Sequence, residues 1–406
     1  MKIALIHGFL KEYGGAERVL EVLHKIYPQA PIYTAFVDLK KLGPHAERIR
    51  KWDIRESKLG KTWFIKKLHS PLRFLAPLIW KSFNLDEYNL VISSSGWYIC
   101  RGVITRPKTL HICYLHHPPR HLYGYQTSFD WQKHWLIRVY GNIVNHFLRQ
   151  YDFKASQKVD YFIANSIETQ KRITKFYRRE SKVIYPPVDM KWDMRGGKWN
   201  RDILNSRTFE MRKEKILLQR HQDIKNSTSK KSHFPHLTSY FLCVSRLARA
   251  KNIDLAIKAC NELKLPLKVV GKGREEEYLK SIAGSTVEFL DEVPDEKLGE
   301  IYAGAKALIF PAQDEEFGIV PVEAMAHGVS VIAFRSGGVK ETVVEGKTGV
   351  FFDELTVESL IEAIKKLRNY EITKEDCINQ AKKFSKERFE REIKDFVNQK
   401  SKLHYT

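Results

Sequence analysis

Two glutamates, Glu315 and Glu323, stand with seven residues between them in the run Asp314-Glu315-Glu316-Phe317-Gly318-Ile319-Val320-Pro321-Val322-Glu323-Ala324-Met325-Ala326-His327-Gly328. The pattern places Glu315 in a loop after a strand and Glu323 about one turn inside a helix that ends at Gly328. Gly318 lets the backbone approach a ligand closely, and the helix start near Ile319 offers free N–H groups to an anion or a hydroxyl. Carboxylates and backbone together suit a polar ligand. The competing reading is that Glu323 supports helix packing and Glu315 is solvated.

Arg246 and Lys251 follow an expected strand, Tyr240 to Ser245, and precede a helix that begins near Asn252. A guanidinium takes two phosphate oxygens as a fork, and an ammonium adds a point charge at the next oxygen. Taken alone, the same two residues also fit a solvated loop. Gly14-Gly15 forms a strand-to-helix turn whose N–H groups can face an anion. A second glycine turn, Val270-Gly271-Lys272-Gly273-Arg274-Glu275, opens a helix but lacks the full G-x-G-x-x-G, so a dinucleotide fingerprint is not supported. No Asp-x-Asp stands ready to hold a metal-bound nucleotide, and no two carboxylates are placed as the acid and nucleophile of a glycosidase.

These residues need elements to carry them. Short β-branched and aliphatic runs alternate with amphipathic helical patterns, which predicts parallel strands joined by helices. Strands are expected near Lys2 to His7, Pro31 to Val37, Leu90 to Ser94, Thr109 to Leu115, Tyr161 to Asn165 and Lys182 to Tyr185. A second set falls near Tyr240 to Ser245, Leu267 to Val270, Val287 to Leu290, Ala307 to Phe310, Ser330 to Phe334 and Gly349 to Phe352. Between the sets, Tyr185-Pro186-Pro187-Val188-Asp189 reads as a stiff extended connector. The segment Met190 to His236, rich in Lys and Arg, reads as a partly helical or disordered insert. The chain ends in one long helical pattern, Lys374 to about Gln399, with Cys377, Ala381, Phe384, Phe389, Ile393 and Phe396 as its apolar stripe. The expected division is 1–187, a connector and insert at 188–236, a second domain at 237–375 and a terminal helix at 376–406.

At 406 residues two domains of ordinary size are expected, and 43% hydrophobic content is that of a globular chain. The net charge of +21 implies an anionic partner, with nucleic acid, lipid surface or phosphorylated small molecule as candidates. Five cysteines without a CxxC pair fit a reduced compartment and argue against a zinc site. The apolar run at the N-terminus, Ile3 to Ile6, is too short for a signal peptide. The longest apolar stretch, Phe74 to Trp80, is broken by Pro77 and falls well short of the roughly 20 residues that span a bilayer.

The run from Asp314 to Gly328 resembles the E-x7-E signature of the retaining family 4 glycosyltransferases of the GT-B fold, with Phe310-Pro311 and Glu323-Ala324-Met325-Ala326 following the same pattern. The resemblance extends over nearly the whole chain. Gly14-Gly15-Ala16-Glu17-Arg18 resembles the family's first glycine loop, Asn165-Ser166 its sixth-strand end, Tyr185 to Asp189 its interdomain connector, and Ser245-Arg246-Leu247 with Lys251 its diphosphate clamp. His111-Ile112-Cys113-Tyr114 through Pro118, with Glu316 to Pro321, is most similar to the mannosyltransferases of O-antigen and exopolysaccharide assembly.

That resemblance implies two Rossmann-like doubly wound α/β domains facing a cleft, with a C-terminal helix crossing back to the first. It implies a retaining, metal-independent hexosyltransferase that needs no cofactor beyond its nucleotide-sugar substrate, GDP-mannose by the nearest subgroup and a UDP-sugar as the alternative. The catalytic set carried over is His116, Arg246, Lys251 and Glu315; the donor-binding set is Gly14, Gly15, Gly271, Val293, Phe317, Gly318, Ile319 and Glu323. Glu315 would face the donor sugar's hydroxyls, Glu323 the ribose, His116 the sugar, and Arg246 with Lys251 the departing diphosphate. Two positions depart from the pattern: His117 stands where a small hydroxyl residue is usual, and Asp291 where a glycine is frequent, which leaves base selectivity open.

The implied acceptor is a saccharide carried on a polyprenyl lipid, in cell-surface polysaccharide or glycolipid assembly. In the segment Lys58 to Lys81, Lys58, Lys61, Lys66, Lys67, Arg73 and Lys81 are interleaved with Trp63, Phe64, Phe74, Leu75, Leu78, Ile79 and Trp80. This suits an anionic membrane surface and a peripheral protein at the inner face of the cytoplasmic membrane; the competing reading is a core helix with solvated lysines. A nucleic-acid-binding protein is the alternative of another class, with no helix-turn-helix, zinc-finger or RNP-like motif behind it. An epimerase or phosphorylase on the same fold is a third, and free epimer formed without acceptor would point to it.

Overall fold

The computed structural model of the protein describes residues 1–125, 127, 135–190 and 240–405. The insert expected from Met190 to His236 lies, beyond Met190, outside the described residues. Two parallel sheets organise the rest. The first holds β1 (Ile3–His7), β2 (Ile32–Thr34), β3 (Ile54–Glu56), β4 (Leu90–Ser95), β5 (Leu110–Leu115), β6 (Tyr161–Ala164) and β7 (Ser181–Val183), ordered β3-β2-β1-β4-β5-β6-β7. The second holds β8 (Tyr240–Val244), β9 (Leu267–Val270), β10 (Val287–Phe289), β11 (Ala305–Phe310), β12 (Ser330–Phe334) and β13 (Gly349–Phe352), ordered β10-β9-β8-β11-β12-β13.

Both are doubly wound α/β domains, and they face one another across a cleft. Helices cover both faces of each sheet, so central strands such as β4 and β5 are buried along their whole length. Each strand order reverses once, between β1 and β4 and between β8 and β11. At such a reversal the loops leaving the carboxyl ends of the strands part and open a crevice, which is where a ligand site belongs in this architecture.

Two elements differ from the sequence expectation. β3 was not foreseen: it is a three-residue edge strand whose Ile54 and Glu56 are only half-buried, too short to show a hydrophobic period. The expected single C-terminal helix is two helices, Lys374–Lys382 and Lys386–Tyr405. The break falls where the connector passes, because Val188 N–H donates to the Phe384 carbonyl at 2.9 Å and Val188 pairs with Ser385 in a parallel bridge. The single stripe is thereby divided. Cys377, Ala381 and Phe384 enter the second domain's core, and Phe389, Ile393 and Phe396 enter the first domain's. The return to the first domain therefore begins at Ser385 rather than at 376.

The basic and aromatic segment is also divided by depth. Trp80 and Ile79 are fully buried, and Trp80 Nε1 donates to the Tyr98 carbonyl at 2.7 Å, whereas Trp63 is 72% exposed. Among the described residues no helix is long and apolar enough to cross a membrane.

Candidate active site

β11 delivers the loop that carries Glu315 and Glu316 to the cleft. Gly337 and Gly338, after β12, make room for it: a Cβ at either position would lie 2.1 Å from a carbonyl oxygen, that of Glu315 or that of Glu316 respectively. The Gly338 N–H donates to the Glu315 carbonyl at 2.8 Å, so loop and glycines are locked together. Lys251 donates to the Glu315 carboxylate. Burial opposes ionisation of Glu315, but the Lys251 ammonium and the Arg120 guanidinium hold its carboxyl below the usual carboxylate range.

Glu323 lies in the helix Ile319–Ala326, whose N-cap Gly318 sits at φ +83°. Its carboxylate accepts from the Tyr302 hydroxyl at 3.3 Å and from Arg18 of the first domain. Phe317 is buried, its ring 5.6 Å from that of Tyr185 and 5.4 Å from that of Phe384, so its side chain anchors the connector instead of lining the cleft. Val293 packs against the second domain's core.

The loops after β8 and β9 form one unit. Leu247 N–H donates to the Lys272 carbonyl at 2.9 Å, and Glu275 N–H to the Leu247 carbonyl at 3.1 Å. Gly271 permits this close stacking: it has φ +128°, and a Cβ there would meet the Ser245 carbonyl oxygen at 2.0 Å. Its own N–H is spent on the Asp291 carbonyl at 2.7 Å. Asp291 adopts φ +49°, a left-handed conformation that favours glycine.

On the first domain, His116 follows β5 and is buried, with Nε2 2.7 Å from Ser94 Oγ. Burial, with His7 and His117 beside it, holds the His116 imidazole well below its ordinary range, so it is neutral near pH 7. The adjacent His117 turns its Nδ1 to the Pro118 carbonyl at 2.9 Å. The Gly14 N–H donates to Glu17 Oε2 at 2.9 Å and is therefore not the one offered to an anion, a correction to the expected role of this glycine. Gly15 abuts the second domain directly, since a Cβ there would lie 2.8 Å from Ile319 Cδ1.

Ion pairs cross the cleft at both ends. Arg120 grips both oxygens of Glu316, with Nε to Oε1 at 2.8 Å, and also donates to the Asp314 carbonyl at 3.0 Å. Arg172 donates to Glu316 Oε1 at 3.1 Å. Although burial works against it, this pair of guanidiniums with His117 pulls the Glu316 carboxyl down to about 2. Glu341 accepts from the N–H groups of Ile167 at 2.8 Å and Glu168 at 2.9 Å, capping the helix Ile167–Tyr177 from the opposite domain. Arg246 is largely exposed and meets Glu12 at 3.1 Å.

The structure thus brings His116, Lys251, Glu315, Glu323, Gly15 and Ile319 to one cleft, with Arg246 at its rim. Sequence reasoning missed Arg18, Arg120, Arg172, Glu341 and the Gly337-Gly338 turn. Only the last had a local signal, the Ser-Gly-Gly run after an expected strand. Among the described residues no three His, Cys, Asp or Glu side chains gather as a metal-binding group.

Comparison with known proteins bears on this arrangement. Residues 224–384 match the family described as "Glycosyl transferases group 1". The chain is 36% identical over 140 residues to a GDP-mannose-dependent alpha-(1-6)-phosphatidylinositol monomannoside mannosyltransferase of Mycolicibacterium smegmatis, a match that covers 30% of this chain and 37% of that protein. The fold of the described residues is that of GT-B glycosyltransferase structures. The crystal structure of Anabaena Alr3699/HepE in complex with UDP and glucose aligns at TM-score 0.65 and 18% identity, over 98% of this chain and 99% of that one. Sucrose-phosphate synthase from Thermosynechococcus elongatus aligns at TM-score 0.68 and 16% identity, again over 98% and 99%.

Proposed function

We propose that this chain is a retaining glycosyltransferase of family 4 that moves mannose from GDP-mannose to a saccharide acceptor carried on a polyprenyl lipid. The observation that carries the reading is the meeting of Lys251 and Glu315 on one wall of the cleft, with His116 on the domain opposite. Lys251 and Arg246 supply fixed positive charge for the diphosphate as its bond to the sugar breaks, a charge that matters more in the transition state than in the ground state. Glu315 accepts from sugar hydroxyls and Glu323 from ribose hydroxyls. The acceptor oxygen bonds to the anomeric carbon from the face the diphosphate leaves, and its proton passes to the departing phosphate. None of these steps requires a metal.

The mannosyl assignment draws on the partial match to the mycobacterial mannosyltransferase and on the subgroup pattern around His111 and Glu316. A UDP-sugar donor is the second reading, favoured by the whole-chain likeness to a UDP-bound structure. Calorimetric titration of the protein with GDP, UDP, ADP and their sugar conjugates, in chelator and moderate salt, decides between them. Selective GDP and GDP-mannose binding supports the first reading, and a preference for UDP replaces the sugar. No nucleotide binding by folded protein removes the glycosyltransferase reading and returns the basic charge to a nucleic-acid partner.

The lipid-linked acceptor places the protein at an anionic membrane, at its cytoplasmic face, where five free, buried cysteines stay reduced. Trp63, Phe74 and Leu78 are exposed beside the basic residues of their segment. The helix Trp135–Gln157 adds Trp135, Ile143 and Phe147, all more than half exposed. Rings at headgroup depth with Lys and Arg around them suit an anionic interface.

A further inference from the structure

Behind His116 runs a buried chain of polar groups for which the proposed reaction has no use as yet. His7 ends β1, Ser94 is its register partner on β4, and Glu17 lies in the first turn of the helix Gly15–Ile26. All three are less than one-tenth exposed. The contacts run in sequence: Gly14 N–H to Glu17 Oε2 at 2.9 Å, Glu17 Oε1 to His7 Nε2 at 3.3 Å, His7 Nδ1 to Ser94 Oγ at 3.1 Å, and Ser94 Oγ to His116 Nε2 at 2.7 Å.

With a carboxylate at Glu17 and neutral rings at His7 and His116, these contacts are met by one arrangement of protons. An ionised carboxylate only accepts, so Glu17 takes N–H groups from Gly14 and from His7 Nε2. A neutral imidazole has one N–H, so His7 Nδ1 then carries a lone pair and accepts the Ser94 hydroxyl proton. The Ser94 oxygen in turn accepts from His116 Nε2–H. The outer nitrogen of His116, Nδ1, is left as an acceptor.

We propose that Glu17, His7 and Ser94 are positioning residues that select the tautomer of His116, so that it meets a hydroxyl of the bound sugar as a hydrogen-bond acceptor. The catalytic use of that tautomer rests on the reading of the cleft as a glycosyl-transfer site; the tautomer itself does not. The Gly14 N–H gives the chain its direction. Because that fixed donor needs an acceptor opposite it, the side chain at position 17 can present to His7 only whatever remains at its other end.

Glu17→Gln is the test. The Gly14 N–H pins the amide oxygen, which turns the amide NH2 toward His7 Nε2. His7 must then carry its proton on Nδ1 and donate to Ser94, Ser94 donates to His116 Nε2, and His116 shifts to the Nδ1–H form. Nitrogen-15 NMR of ring-labelled protein, with His7→Gln and His116→Gln used to assign signals, is expected to show His116 with Nδ1 unprotonated in the wild type and protonated in Glu17→Gln. Ser94→Ala cuts the chain, so adding Glu17→Gln to it should leave the His116 spectrum unmoved, and Ser94→Thr should restore the response. A wild-type His116 protonated on Nδ1, or a His116 spectrum indifferent to Glu17→Gln in folded protein, overturns the proposal. In turnover assays Glu17→Gln is expected to lower kcat about tenfold with little change in donor KM, the scale of one hydrogen bond of reversed polarity. A tautomer that switches in a protein without glycosyl transfer would keep the chain and remove the functional reading instead.

Discussion

Arg18, in the first helix of the first domain, donates to Glu323 in the helix Ile319–Ala326 of the second. The Glu323 carboxylate is thus occupied by a guanidinium from across the cleft, and a ribose bound there, as proposed, would have to displace it. Arg18→Met is expected to tighten nucleotide binding about fivefold, and Glu323→Gln to weaken it about tenfold, in calorimetric titrations. Weaker binding by Arg18→Met would show that Arg18 closes the cleft on the ligand instead of competing with it.

Lys251 reaches Glu315, and in the proposed reaction it faces the diphosphate as charge accumulates there. Lys251→Ala should lower kcat by about 10² to 10³ while donor KM changes little, since the interaction is strongest in the transition state. Steady-state kinetics with unaltered circular dichroism checks this, and wild-type turnover would remove Lys251 from the site.

Glu316 joins the two domains through Arg120 and Arg172. Its carboxyl is pulled from the ordinary 4.5 to about 2, so its stabilising charge is complete above about pH 4.5 and is lost as the pH falls toward 2. Glu316→Gln removes the carboxylate that Arg120 and Arg172 share, leaving Arg172 to Glu168 and Arg120 to the Asp314 carbonyl, and should cost about 3 kcal/mol near neutral pH. The gap in Tm between wild type and variant is expected to narrow steadily from pH 5 to pH 2; a constant gap would mean that the pair does not tie the domains.

Gly271 cannot take a side chain without forcing Ser245 and the Arg246 loop aside. Gly271→Ala should destabilise the second domain by about 3 kcal/mol, a fall in Tm of roughly 6–12 °C. Calorimetry would show this, and an unchanged Tm would mean that the loop yields freely.

Surface and core are expected to separate cleanly in the basic and aromatic segment. Replacing Trp63, Phe74 and Phe147 together by Ser should release the protein from anionic vesicles with Tm nearly unchanged. Trp80→Ser should instead unfold the first domain, at a cost of about 3–5 kcal/mol, because it empties a fully buried site and orphans the Tyr98 carbonyl. Vesicle sedimentation beside thermal melts distinguishes the two.

What the sequence determined by itself is what local pattern encodes. Buried parallel strands are continuous apolar runs, so nearly every strand was legible, together with the spacing of Glu315 and Glu323 and the glycine turns after β1 and β9. β3 escaped because three half-buried edge residues carry no period. Tertiary structure alone decided how these pieces oppose one another. Arg18 and Glu323 are 305 residues apart, Arg120 and Glu316 are 196 apart, and no local period reports such a pairing. The same holds for Trp80, whose apolar and basic neighbours look like a surface helix until the sheet behind it is present, and for the C-terminal stripe that the connector cuts at Ser385. A side chain's type sets which hydrogen bonds and charges it can offer. Which partner accepts them is settled only when burial removes water as the alternative, and that happens when the two domains close on the cleft.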